Sequence, residues 1–430
     1  MKKLIYSIIL LLAVVSVYAQ VPVPAGPQSG PIMITGVTAH IGDGSVIENA
    51  AIGFDKGKIT FVGQTSAANT DGHEVIDASG KHVYPGFIAP NIQLGLEEIG
   101  AIRSMRDFSE VGGFNPNVRS LIAYNTDSEF IPTLRFNGVL LAESAPSGGR
   151  ISGTSSVMEM EGWNWEDAAH TTDMGIHLNW PRRMRRNFDY ATYTVKLEPN
   201  KNYNKQVTEL GVHFDDAVAY GKESSKVPNL KLEAMQGLLD GSQTLFIHTS
   251  DAKEIIESVR FAKGKGVKNV VIVTGDPALQ VAEFLKDNSV GVIVSSTHRL
   301  PSRPGVDVYG PYKLPALLAE AGVTIAMTGS DAMSARNLPF AAGTAVAYGM
   351  DKEEALKMIT SNAAELLGIA DRVGSIKVGK DATIFVSEGD ALDYRTNNLT
   401  HAFISGKQVI LDNKQQELFD RYSRKYGHND

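Results

Sequence analysis

The sequence predicts an α/β protein: a TIM (β/α)8 barrel with a small β-sandwich domain formed from both termini. Three observations predict it. Both ends of the chain read as short strands cut by Gly-, Asp- and Asn-bearing turns. The middle alternates apolar strand-like runs with amphipathic helical spacing, the pattern of parallel strands joined by crossover helices. The 430 residues suit one large barrel plus a satellite domain.

The first 19 residues are expected to be a signal peptide outside the fold. Lys2 and Lys3 precede an almost unbroken apolar run from Leu4 to Val17, and Val17-Tyr18-Ala19 offers small residues at a cleavage point. The run is shorter than the roughly 20 apolar residues a membrane span needs. The expectation is therefore an exported protein, periplasmic or secreted, with no membrane contact once the leader is cut. The chain has no cysteine, which excludes a lipid-anchored exported form, and its size lets it do without disulfides. The net charge of −7, with both signs scattered, argues against nucleic acid as a partner.

Residues 20–84 and 375–430 form the expected composite β domain. Ile32 to Thr35, Ala51 to Phe54 and Lys58 to Val62 are strands at the N-terminal end, with turns at Asp43-Gly44 and Asp55-Lys56-Gly57. Ala382 to Val386, Leu399 to Ile404 and Lys407 to Leu411 repeat the texture at the other end, with a turn at Ser405-Gly406.

Residues 85–374 form the expected barrel. Its clearest unit runs from Thr244 to Ser296. A buried strand at Thr244 to Ile247 leads to a helix from Asp251 to Lys263, with apolar residues at Ile255, Ile256, Val259, Phe261 and Ala262. Strands follow at Asn269 to Val273 and Gly291 to Ser295, with a helix from Leu279 to Lys286 between them. A helix from Lys313 to Ala321 and a strand from Val323 to Met327 continue the series. The N-terminal half is less regular, and Arg103 to Tyr124 reads as a long loop over the barrel mouth.

Function in such barrels sits at the C-terminal ends of the strands. Read in order, those ends carry Asn91 and Gln93, His248, Thr274 and Asp331. Here the chain resembles the amidohydrolase superfamily, in its imidazolonepropionase-like branch. The branch carries a Pro-Gly-hydrophobic-Ile-Asp-x-His-x-His run after the first strand, a His after the fifth, often another after the sixth, and an Asp after the eighth. The first run here is Pro85-Gly86-Phe87-Ile88-Ala89-Pro90-Asn91-Ile92-Gln93, so both histidines are amides and the aspartate is Ala89. His248, Thr274 and Asp331 stand at the other three positions. Leu94-Gly95-Leu96-Glu97, Asn362 to Gly368, Arg372 to Ile376 and Gly379 to Ala382 also resemble the branch, over nearly all of the chain beyond the leader.

The resemblance implies hydrolysis of non-peptide C–N bonds in amides or cyclic amides, with Asp331 as general base, His248 orienting or polarising the substrate, and Asn91, Gln93, Glu97 and Thr274 against it. It also implies a zinc or other divalent metal site, of which only His248 and Asp331 remain as good ligands. Amide oxygens suit hard cations and bind zinc weakly, and a catalytic zinc site needs typically three protein ligands. The expectation is no cofactor, and activity that is weak, altered or lost. Without a metal nothing lowers the pKa of the attacking water from about 15.7 toward 7. The alternatives are a hydrogen-bonded strand-end role for His248 and a helix cap for Asp331. For the whole chain the alternative is a small-molecule binding protein or non-catalytic subunit that pairs with an active homologue or with itself.

Two further runs stand out. Ser147-Gly148-Gly149-Arg150-Ile151-Ser152-Gly153 is a glycine-rich connection that the resemblance places near the pocket. Arg182-Arg183-Met184-Arg185-Arg186 is a basic cluster, expected on a solvated helix face or meeting a carboxylate, with Trp163, Trp165 and Trp180 nearby in the sequence.

Overall fold

The computed structural model describes residues 23–223, 227–301, 305 and 307–428. The expected leader, residues 1–19, lies outside the described residues. Among those described, no helix is long and apolar enough to cross a membrane.

The N-terminal end supplies β1 (Ile32–His40), β2 (Val46–Asp55), β3 (Lys58–Gln64), β4 (Glu74–Asp77) and β5 (His82–Pro85). The barrel follows with β6 (Phe87–Ile92), β7 (Val139–Ser144), β8 (Ile151–Glu159) and β9 (Ala169–Asn179). A hairpin, β10 (Met184–Asp189) and β11 (Thr194–Pro199), interrupts it. The barrel resumes with β12 (Thr244–His248), β13 (Asn269–Thr274), β14 (Gly291–Ser295) and β15 (Ile325–Thr328). Last come β16 (Ile384–Ser387), β17 (Leu399–Ile404) and β18 (Lys407–Gln408), the last shorter than the run to Leu411 suggested.

Strands from both ends pair into one sheet, in the order β18-β17-β16-β5-β1-β2-β3 with β4 also on β1. The expected sandwich is thus a single hydrogen-bonded sheet that curls over its own core. Phe54 of β2 and Phe403 of β17, far apart in strand order, meet ring to ring at 4.9 Å. The β2–β3 and β17–β18 hairpins turn at Lys56-Gly57 (φ +48° and +77°) and Ser405-Gly406 (φ +48° and +77°). Positive φ at both central residues is the turn geometry that matches strand twist.

The barrel sheet runs β15-β14-β13-β12-β9-β8-β7-β6. Among the described residues no ladder joins β15 to β6; the Thr328 hydroxyl spans that seam by donating to the Pro90 carbonyl at 2.6 Å. One inward layer takes an apolar residue from every strand, including Ile88, Leu141, Val157, Phe246, Val271 and Ile293, and the helix Ser361–Leu366 packs against it. In the C-terminal half each strand is followed by a helix, such as Ala252–Gly264 after β12 and Gly310–Glu320 after β14, close to the expected bounds.

The N-terminal half breaks the repeat. β8 pairs antiparallel with both β7 and β9. Only residues 145–150 join β7 to β8, and a parallel return needs a dozen or more. The glycine-rich run is therefore the turn of a hairpin at the barrel mouth, and Gly148 and Gly149 take φ of +88° and +62° there. The long segment from Arg103 to Tyr124 pairs with β8, through bridges Phe114–Ile151 and Arg119–Thr154. The arginine cluster is not on a helix: Met184 to Arg186 begin β10, because Arg185 and Arg186 face Glu198 and Leu197 of β11 across an antiparallel ladder.

Candidate active site

The site begins with a buried carboxylate. In β7, Leu141 points into the apolar layer, so Glu143, two residues on, points inward one layer nearer the mouth. The antiparallel β8 places Ser155 beside it, two residues before Val157. Glu143 is fully buried and accepts from the Ser155 hydroxyl (2.7 Å) and the Asn91 backbone N–H (2.8 Å). His177 of β9, also fully buried, donates through Nε2 to Glu143 at 3.0 Å. That assigns the His177 tautomer, since a carboxylate only accepts. The other nitrogen, Nδ1, lies 2.9 Å from Nε2 of His248, so these two nitrogens hold one proton between them.

His248 ends β12 and borders a cavity. Burial first, and His177 second, push its pKa down to about 3, which keeps the imidazole neutral at ordinary pH. The cavity, about 740 Å³, lies over the ends of β9, β12, β13 and β14 and is lined by His248, Thr274, Asn179 and Ser295 together with Arg150, Arg182 and Arg185. Arg150 reaches the mouth because β8 runs backwards: a parallel strand would have started at the opposite end. Its Nη1 donates to the Asn179 carbonyl at 2.6 Å, and the Asn179 amide donates to the Gly148 and Gly149 carbonyls at 3.2 Å each. The Thr274 hydroxyl is buried without a hydrogen-bond partner.

The residues singled out from the sequence divide into two groups. His248 and Thr274 line the cavity. Asn91, Gln93, Glu97 and Asp331 do not. Asn91 sits on a bulge where β6 loses register with β7, at φ +51°, and is tied through its backbone to Glu143. Gln93 is half-buried and its carbonyl accepts from the Leu96 N–H at 3.0 Å. Glu97 pairs by a backbone bridge with Arg106. Asp331 is exposed, and its carboxylate accepts from the Ser334 N–H at 2.7 Å and the Ser330 hydroxyl at 3.0 Å. These bonds close a turn ahead of the short helix Ser334–Asn337, whose N-cap residue is Met333.

Sequence reading missed Glu143 and His177. The available signal was a lone charged or titratable residue inside a buried apolar run, Val139 to Ala142 before Glu143 and Ile176-Leu178 around His177.

The residues present do not fit a catalytic zinc. Among the described residues no group of three or more His, Asp or Glu converges as a metal site requires. The imidazole nitrogen of His248 that faces the barrel is taken by His177, and the Asp331 carboxylate is taken by its own turn.

The model of the amidohydrolase family matches residues 244–409. Over its length the chain is similar to the imidazolonepropionase of Brevibacillus brevis, 24% identical across 92% of this chain and 97% of that protein. Over residues 244–409 the chain is thus similar to the amidohydrolase family, and over nearly its whole length it is similar to imidazolonepropionases. A shorter match to the imidazolonepropionase of Thermoplasma volcanium is 38% identical but spans 19% of this chain and 22% of that protein. The fold is shared with a crystal structure of an amidohydrolase from Thermotoga maritima, at a TM-score of 0.75 and 23% identity over 88% of this chain and 99% of that one. Molinate hydrolase matches at a TM-score of 0.54 and 15% identity, over 89% of this chain and 95% of that one.

Proposed function

We propose that this chain is an exported amidohydrolase that takes a small amide or cyclic amide at the barrel mouth and hydrolyses its C–N bond weakly, without zinc. The observation that carries the reading is the chain Glu143–His177–His248. It commits the mouth imidazole to a neighbouring histidine in place of a metal. His248 then replaces Asp331 as the group facing the substrate, since Asp331 is outside the cavity lining.

A general base works best with a pKa near the working pH. One whose pKa burial pushes down accepts a proton reluctantly, in keeping with weak hydrolysis. The Glu143–His177 pair orients the ring and takes up charge when His248 is protonated.

The test is metal content and turnover together. Purified wild type is expected to hold less than 0.1 equivalent of zinc and to turn over amide or imidazolone substrates slowly, unchanged by a chelator. In Asn91→His/Gln93→His, two added imidazoles on β6 are expected to raise zinc content, incompletely because Ala89 stands where the branch has an aspartate. One equivalent of tightly held zinc in wild type would sink this reading.

A second reading, a subunit that pairs with an active homologue or a second copy, is favoured by the β10–β11 hairpin. Its outer face exposes Met184, Phe188, Val195 and Leu197 to solvent. Light scattering on wild type and on Phe188→Ser/Leu197→Ser separates the readings: a larger particle that the substitutions dissociate supports the subunit.

A further inference from the structure

The mouth cavity contains three arginines and no carboxylate. Arg150, Arg182 and Arg185 line it, and no aspartate or glutamate does. Among the described residues none of the three has an ion-pair partner, whereas their neighbour Arg183 is paired with Glu257 and lies over the Tyr203 ring at 4.8 Å. Arg183 thus anchors the hairpin base to the barrel, leaving Arg182 and Arg185 beside the cavity. Glu198, opposite Arg185 on β11, makes only a 3.5 Å contact with the Asn187 amide. Burial draws the Arg150 pKa down, against a weaker pull from Glu209 on the helix Tyr203–Lys222. A half-buried guanidinium without a carboxylate in contact carries a cost that a bound anion would reduce.

A second observation points the same way. Thr274, 6% exposed, lines the cavity, and its buried hydroxyl has no hydrogen-bond partner. Buried hydroxyls ordinarily find one, and an anionic oxygen in the cavity would accept from it.

We propose that this cavity binds a small organic dianion, either a dicarboxylate or a phosphoryl compound, through Arg150, Arg182 and Arg185. Planar guanidinium forks match carboxylate and phosphate oxygens two at a time. Three cations with a neutral His248 leave a monoanion short of charge, so selection favours two negative charges. The residues are brought together by the two irregular features of the barrel, the reversed β8 and the inserted hairpin. The inference does not depend on whether a bond is cut there.

The test is calorimetric binding to the full chain at pH 8 and low salt, with inorganic phosphate, succinate and acetate as probes. Phosphate or succinate is expected to bind at least about 10-fold more tightly than acetate, since a charge-assisted hydrogen bond contributes about 1.5–3 kcal/mol. Binding of phosphate alone identifies a phosphoryl ligand, and binding of succinate a dicarboxylate. Arg150→Gln/Arg185→Gln is expected to weaken the dianion by about 10-fold or more. Arg186→Gln, on the opposite face of the hairpin, should leave it unchanged. If the double variant unfolds on heating before the others, the exposed Arg182→Gln gives the same reading with smaller effect. Equal affinity for acetate, no binding of any probe at 10 mM, or full binding by the arginine variants would each overturn the proposal. Loss of hydrolysis without loss of binding would count only against the catalytic reading above.

Discussion

The two halves of the barrel solve the same packing problem with different chemistry. From β12 to β15 the strands are parallel, each is followed by a helix, and Ile247, Ile272, Val292, Ile293 and Ala326 are buried, with Thr244, Thr274 and Thr328 as the buried polar residues on these strands. From β6 to β9 the third strand is reversed, and the buried set includes Glu143, Ser144, Thr154, Ser155, Ser156, His170 and His177. The apolar half gains from area removed from water, which is non-directional. The polar half stands only if every buried donor and acceptor is matched, which is directional and fixes one arrangement. The polar half supplies His177, which holds the cavity's His248 across the boundary between the halves, and one of the cavity's arginines, so the stricter packing and the chemistry meet there.

Substitutions sharpen that contrast. The largest effect is expected for Glu143→Ala. It strips the acceptor from the His177 ring, the Ser155 hydroxyl and the Asn91 N–H at once, and each buried donor left unsatisfied costs about 1–3 kcal/mol. Urea denaturation measures it, and a cost under about 1 kcal/mol would mean the polar half is not held by this chain of bonds.

A medium effect lies where the polar half meets the curled sheet. Burial raises the Asp381 pKa, but bonds from His170 of β9 and Lys58 of β3, with the charge of Arg372, outweigh it and bring the value down to about 2. The folded pKa is below the unfolded one, so this contribution is complete above about pH 4 and is lost as pH falls toward 2. It is expected to amount to on the order of 2 kcal/mol. Comparing the acid unfolding of wild type and Asp381→Asn checks it. The variant should be weaker at neutral pH, and the difference should shrink between pH 4 and 2.

The smallest effect belongs to the apolar half. Ile272→Val removes one methyl from a fully buried site and should cost about 1 kcal/mol, with no change in anion binding at the mouth. A cost rivalling that of Glu143→Ala would erase the contrast between the halves.

The sequence by itself determined the elements whose signal is local. Hydrophobic period two or 3.6 placed β12, β13, β14 and the helix Ala252–Gly264, and turn residues placed the hairpins at Lys56-Gly57 and Ser405-Gly406, because backbone preference and one-sided burial are written in consecutive residues. It also marked His248 and Thr274 as strand-end positions. The reversal of β8, the partnership of Glu143 with a histidine 34 positions away, and the gathering of Arg150 with Arg182 and Arg185 were decided only by the tertiary structure. Strand direction depends on what a strand pairs with, and a buried charge is tolerable only beside a partner from another strand. Flanking apolar residues show that a charge is buried, but neither the strand's direction nor the identity of the partner is written in them.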